Sequence, residues 1–220
     1  MLDHKEDKIV LIGDVHAKFD QYIRLAEHAE YSVQLGDMGF SYERLEELDP
    51  NKSKFIKGNH DNHNISSRYE LGRFGSYELN GVKFFFVSGG YSIDDGLRRQ
   101  GRVLSGEKTW WHQEQLTFVE MEECKKLYLE EKPHILLSHS PCRFIINRYT
   151  DPRIIKNFGF DKDFSCQTSL FLDHLFSLHK PLCWVAGHIH CSYEERIDGC
   201  VFKGLSELET CLVTSEGNIL

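Results

Sequence analysis

The chain has 220 residues and a formal net charge of −8, with 40% hydrophobic and 27% charged residues. That is an ordinary globular composition on a chain long enough to bury a full core. The acidic balance argues against extended duplex nucleic acid as a partner, because its binders carry a basic face. No apolar run approaches the roughly 18–20 residues that span a bilayer.

The first eight residues are charged rather than apolar, so no signal peptide is expected. The seven cysteines (Cys124, Cys142, Cys166, Cys183, Cys191, Cys200 and Cys211) are odd in number and never spaced Cys-x-x-Cys. They read as reduced thiols of a cytoplasmic protein.

In chain order, a strand is expected over 8–12, ending in Gly13-Asp14-Val15-His16. A helix over 19–29 follows, with Phe19, Tyr22, Ile23 and Ala26 on one stripe. A strand over 32–35 runs into Gly36-Asp37, and a short acidic helix over 42–48 leads to a strand over 54–56 and then Gly58-Asn59-His60-Asp61. Asn80-Gly81 is the strongest two-residue hairpin signal and joins strands over 76–79 and 82–87. The next segment, Ser88-Gly89-Gly90-Tyr91-Ser92-Ile93-Asp94, is either an active-site loop, in which Tyr91 stacks on a base or phenyl group, or a plain strand-to-helix turn. Trp110-Trp111 either lips a site or packs in the core.

A long helix is expected over 113–130, a strand over 134–137 ending in Ser138-His139-Ser140, and a helix over 169–178. A strand over 183–186 then runs into Gly187-His188-Ile189-His190, and segments 201–203 and 210–214 are expected to pair with each other. With no linker, repeat or low-complexity stretch, residues 1–220 read as one domain. Strands alternating with helices, a central hairpin and late strands predict a mixed α/β (α+β) sheet sandwich covered by helices.

Five polar motifs thus sit at the C-terminal ends of apolar strands, where α/β sheets build their sites. They supply two Asp, one Asn and several His, a ligand set for two divalent cations about 3.5–4 Å apart. Asp37 follows Asp14 by 23 residues and Asn59 follows Asp37 by 22, each one strand-helix unit, so three strand ends come side by side. A carboxylate such as Asp37 has two oxygens with which to bridge two ions, and Asn59 offers a neutral oxygen that adds no charge against a phosphate. His139, His188 and His190 complete the set, and imidazole nitrogens suit manganese, iron, zinc or nickel.

The ordered set Asp14-x-His16, Gly36-Asp37, Gly58-Asn59-His60-Asp61, His139 and Gly187-His188-x-His190 resembles the signature of the calcineurin-like metallophosphoesterase superfamily. The likeness is to its compact bacterial and phage members, near the phosphoprotein phosphatase branch. It implies a four-layer double β-sandwich flanked by helices, the metallo-dependent phosphatase fold. It also implies that Asp14, His16 and His190 hold one metal, that Asn59, His139 and His188 hold the other, and that Asp37 bridges them. Manganese is expected. His60 and Asp61 are then the expected catalytic residues: a hydroxide bridging the metals attacks phosphorus in line, His60 protonates the leaving oxygen, and Asp61 steadies His60.

The chain departs from the phosphoprotein phosphatase pattern at Ala17, where that branch has Gly, and at Gly36-Asp37-Met38-Gly39-Phe40, which lacks its Asp-Arg-Gly. Arg44, Arg68, Arg98, Arg99 and Arg143 are the candidates to replace the phosphate-gripping Arg. The expected substrate is therefore a phosphorylated small molecule, a nucleotide or a phosphoprotein, as a monoester or a diester. A nucleotide or cyclic-nucleotide phosphodiesterase is the main alternative. A non-catalytic scaffold of the same fold tends to lose the His of Gly-Asn-His or a ligand, and this chain keeps both. A nuclease would want a basic groove or second domain.

Overall fold

The central strands are buried on both faces, and alternate side chains serve different layers. In the computed structural model, which describes residues 9–106, 108–160, 163–214 and 218–220, two mixed sheets stack face to face. Lys8, in the first expected strand, and His4 lie outside the described residues.

The smaller sheet is formed by Ile9–Ile12 (β1), Tyr31–Gln34 (β2), Ser53–Phe55 (β3) and Thr210–Val213 (β10), in the order β10-β1-β2-β3. The strands of the larger are Phe74–Leu79 (β4), Val82–Val87 (β5), Ile135–Ser138 (β6), Cys183–Ala186 (β7), Tyr193–Ile197 (β8) and Cys200–Gly204 (β9). Its order is β4-β5-β6-β7-β9-β8.

Period-two alternation assigns the layers. Phe84, Phe86, Ile135, Leu137, Cys183 and Val185 face the other sheet and meet Leu11, Val33 and Val213. Their neighbours Phe85, Leu136 and Trp184 point outward and pack with helices Phe118–Glu131 (α3), Arg143–Tyr149 (α4) and Gln167–Leu178 (α6). On the opposite outer face, Tyr22, Ile23 and Ala26 of Phe19–His28 (α1) cover Ile12 and Phe55. The result is the expected helix–sheet–sheet–helix order.

Three elements differ from expectation. The 113–130 helix begins only at Phe118, because Thr117 and Glu120 form a capping box; residues His112–Glu114 make a separate 3-10 turn that buries Glu114. The acidic 42–48 segment is a 3-10 helix over Glu43–Glu47. The late strands do not pair with each other. Asp198-Gly199, with φ of 50° and 89°, turns β8 back on β9, which also lies parallel to β7, while β10 runs antiparallel to β1 in the other sheet. Cys211 and Val213 then face the layer between the sheets. Two further helices, Asp95–Ser105 (α2) and Pro152–Asn157 (α5), join α4 in filling the connections after β5 and β6.

Candidate metal centre

Parallel register brings the motifs together. Ile12 aligns with Gln34 and Gln34 with Phe55, so the turns after β1, β2 and β3 leave the sheet at one edge. Val87, Ser138 and Ala186 are likewise in register in the second sheet. Both edges face one cleft, which collects Asp14, His16, Asp37, Asn59, His139, His188 and His190. Asp14, Asp37, Asn59 and His139 are essentially fully buried.

The ligand-type atoms of Asp14, His16, Asp37 and His190 all lie within 4.8 Å of one another. His190 Nε2 stands 2.9 Å from Asp14 Oδ2 and 2.8 Å from His16 Nε2. A second group adjoins it: His139 Nε2 lies 2.9 Å from Asn59 Oδ1, 3.3 Å from Asp37 Oδ1 and 3.2 Å from His188 Nδ1. Asp37 therefore sits between the two groups, with Oδ2 3.8 Å from His16 Nε2 and Oδ1 toward His139.

These residues fit a cation pair. Asp37 Oδ2 is buried with no hydrogen-bond partner among the described residues. A buried carboxylate oxygen left unpaired costs free energy that a cation would offset. The backbone also closes on the carboxylates: a Cβ on Gly58 would stand 2.1 Å from Asp37 Oδ1, so only glycine permits the approach. Four of the ligand-type residues, His16, Asp37, His188 and His190, hold φ between 48° and 72°, a left-handed strain typical of functional sites.

The charges agree. Burial and then the neighbouring Asp14 push the Asp37 carboxyl up to about 7, an electrostatic tension that divalent cations would relieve. Burial alone would raise Asp14, but hydrogen bonds from His16 and His190 outweigh it and hold its carboxyl well below the usual range. Burial holds His139 below its ordinary value and pushes His188 down to about 3, so both rings are neutral and present a lone pair, as a metal ligand requires.

His60 and Asp61 have partners other than those expected. Asp61 does not steady the His60 ring; its carboxylate accepts the backbone N–H groups of Asp37 (2.8 Å), Gly58 (2.7 Å) and Gly39 (3.0 Å), tying the second and third motifs together. The His60 backbone N–H donates to Asp37 Oδ1 at 2.7 Å, and its ring Nε2 accepts from Arg98 Nη2 at 3.3 Å. Burial and the Arg98 charge push His60 down to about 2, so its imidazole is neutral in this arrangement. Arg98 itself comes from α2, held by Asp94 at 2.8 Å. Of the five candidate arginines, Arg98 is the one whose side chain reaches the His60 ring. His63, two residues past the third motif, is half-buried, with Nε2 2.9 Å from the Gly58 carbonyl.

Glu114, behind the site, had not been singled out. Asn59 Nδ2 donates to Ser92 Oγ at 3.1 Å, and Ser92 Oγ donates to Glu114 Oε2 at 2.7 Å. This relay fixes the side-chain amide so that Asn59 Oδ1 faces His139. Gly90 makes it possible by lying flat on the site, its hypothetical Cβ 3.1 Å from Asn59 Oδ1. The loop signal Gly89-Gly90-Tyr91-Ser92 was visible in sequence, but its carboxylate partner sits 22 residues on. Trp111 packs in the interior, 5.5 Å from the Phe40 ring, whereas Trp110 lies under the Arg99 guanidinium at 3.7 Å.

The fold has known likenesses. A dimetal phosphatase from Danio rerio superposes with a TM-score of 0.56 at 13% identity, covering 94% of this chain and 92% of that one. The protein TT1561 of Thermus thermophilus gives 0.55 at 14% identity, covering 98% of both chains. Phosphopantetheinyl hydrolase from Mycobacterium tuberculosis gives 0.50 at 15% identity, covering 92% of this chain and 90% of that one. No curated protein sequence matches the chain. The sequence pattern of the calcineurin-like phosphoesterases matches residues 7–192, which include every residue of the two ligand groups and most of both sheets. With that match over the fold and cleft just described, the chain belongs to the calcineurin-like phosphoesterase family and is a metal-binding hydrolase of phosphoric esters.

Proposed function

We propose that the chain hydrolyses a phosphomonoester of a small molecule, with Asp14, His16 and His190 holding one divalent cation, Asn59, His139 and His188 a second, and Asp37 shared between them. The observation that carries this reading is the unpaired buried Asp37 Oδ2 between two ligand groups. When bound, the cations supply Lewis acidity: they lower the pKa of water and neutralise phosphoryl charge. Manganese is the proposed metal, on the mixed nitrogen and oxygen donor set.

The protein's own groups do the rest. Arg98 grips the phosphoryl oxygens, a guanidinium fork suited to a dianion. Neutral His60 holds Arg98 in place from its Nε2 side. The buried Asp61 fixes the turns that carry Asp37 and Asn59. A monoester is favoured over a diester because Arg98 adds a positive charge that a second ester group would not need.

The test is parallel hydrolysis of p-nitrophenyl phosphate and bis-p-nitrophenyl phosphate, with manganese and with chelator. Monoester turnover that chelator abolishes, and that falls at least ~100-fold in Asp37→Ala with loss of bound metal by elemental analysis, is the expected result. Faster turnover of the diester would favour a phosphodiesterase, and full turnover in Asp37→Ala would overturn the cation-pair reading.

A further inference from the structure

Beside the metal-ligand cluster lies a cavity of about 250 Å³ whose floor is the site itself: Asn59, His60, His188 and His190 form one wall. The opposite walls are apolar. Ile146 of α4, Ile155 of α5 and Phe164 are buried together, with Tyr91, Ile93 and Ile189 packed against them. The Tyr91 and Phe164 rings stand 5.9 Å apart, tilted by 32°. Among the described residues, no Lys or Arg lines the cavity. Its carboxylate, Asp94, is already bonded through both oxygens to Arg98 Nε at 2.8 Å. Thr150 also lines it, but its Oγ1 is buried beneath the wall, with no partner among the described residues.

We propose that this cavity takes the leaving alcohol of the phosphomonoester, and that the alcohol is an apolar ring or chain. This rests on the phosphoester-hydrolase reading above. A phosphoryl group held at His188, His190 and Asn59 must send one substituent away from the cations, and the cavity is continuous with those residues. At the ~30 Å³ that a water-sized group occupies in a liquid, the space holds on the order of eight non-hydrogen atoms. The walls select by chemistry as well as size. A polyphosphate tail would find no Lys or Arg among the described lining residues. A nucleobase would bring several polar edge atoms against the apolar wall of Ile146, Ile155 and Phe164, and unpaired buried polar atoms are what sites discriminate against most strongly.

Ethyl, butyl and hexyl phosphate test this, because their leaving alcohols have near-equal acidity and differ in apolar length. Burying a methylene is worth about 0.8 kcal/mol, or about fourfold, so kcat/KM is expected to rise at least ~10-fold from ethyl to hexyl phosphate in manganese. Ile155→Asn is expected to cut that hexyl-to-ethyl ratio below about threefold, with its thermal midpoint checked on the same sample. Should Ile155→Asn fail to fold, Ile154→Asp at the exposed rim provides the same readout. A flat series in an enzyme that turns over p-nitrophenyl phosphate would overturn the cavity assignment and leave the hydrolase reading intact. Preference for uridine 5′-monophosphate over hexyl phosphate would overturn the apolar class. Loss of all ester turnover would instead sink the hydrolase reading itself.

Discussion

Asn59 illustrates, at the scale of one residue, how a side chain is aimed into the cleft. Its amide could present either end to the cleft, and the Ser92 hydroxyl decides which, because it accepts from Nδ2 while donating to Glu114. Partners behind metal ligands are commonly worth about tenfold or more in metal affinity. Ser92→Ala is therefore expected to weaken binding of the second manganese about tenfold, with Ser92→Thr restoring part of it. Isothermal titration of the metal-stripped protein measures both. Equal affinity in Ser92→Ala would mean that Asn59 is held by something else. The same scale explains why the arginine candidates separate only in three dimensions. Each is a charged residue in a polar stretch, and only the fold of α2 carries Arg98 to His60.

The boundaries at the scale of elements follow local chemistry where local chemistry is strong. Thr117 accepts from the Glu120 N–H and Glu120 returns the bond to the Thr117 N–H, which starts α3 at Phe118. Losing such a cap costs about 1 kcal/mol. Thr117→Ala is expected to lower stability by that amount without altering the metal site, read as a shift in the denaturant midpoint at constant slope. Asn80-Gly81 and Asp198-Gly199 obey the same turn rule, yet one hairpin was expected and the other was not. After Asn80-Gly81, β5 is apolar but for Lys83, whereas β8 alternates buried Tyr193 with charged residues, so it reads as a surface loop. α4 and α5 are short, and their apolar residues are divided between the core and the cavity wall: Ile145 packs on the larger sheet, while Ile146, Ile154 and Ile155 line the cavity.

Across the whole molecule, the layers place a carboxylate where its ionisation opposes folding. Glu114 is 1% exposed, and burial pushes it from its ordinary 4.5 up to about 7 despite two hydrogen bonds from Ser92. Between those two values the folded protein holds a proton that the unfolded chain has released, so the contribution of Glu114 to stability falls as pH rises through that window. The loss is on the order of 3 kcal/mol. Metal-stripped wild type is expected to lose that much relative to Glu114→Gln between pH 4.5 and about pH 7, by urea denaturation at each pH. A parallel decline in both proteins would assign the effect to other groups.

The sequence by itself determined the order of the motifs, the strands that precede them and the family, because each motif is a short polar turn after a buried apolar run and needs no distant information. It did not determine what meets those motifs from elsewhere. That Asp61 ties backbone turns rather than His60, that Arg98 faces His60, that Glu114 stands behind Asn59, and that β9 and β10 belong to different sheets were decided by tertiary structure. Apart from the local Gly58–Asp61 bond, the contacts join residues 22 to 38 positions apart, through packing of whole layers. No local pattern of charge or hydrophobicity encodes which distant side chain will arrive.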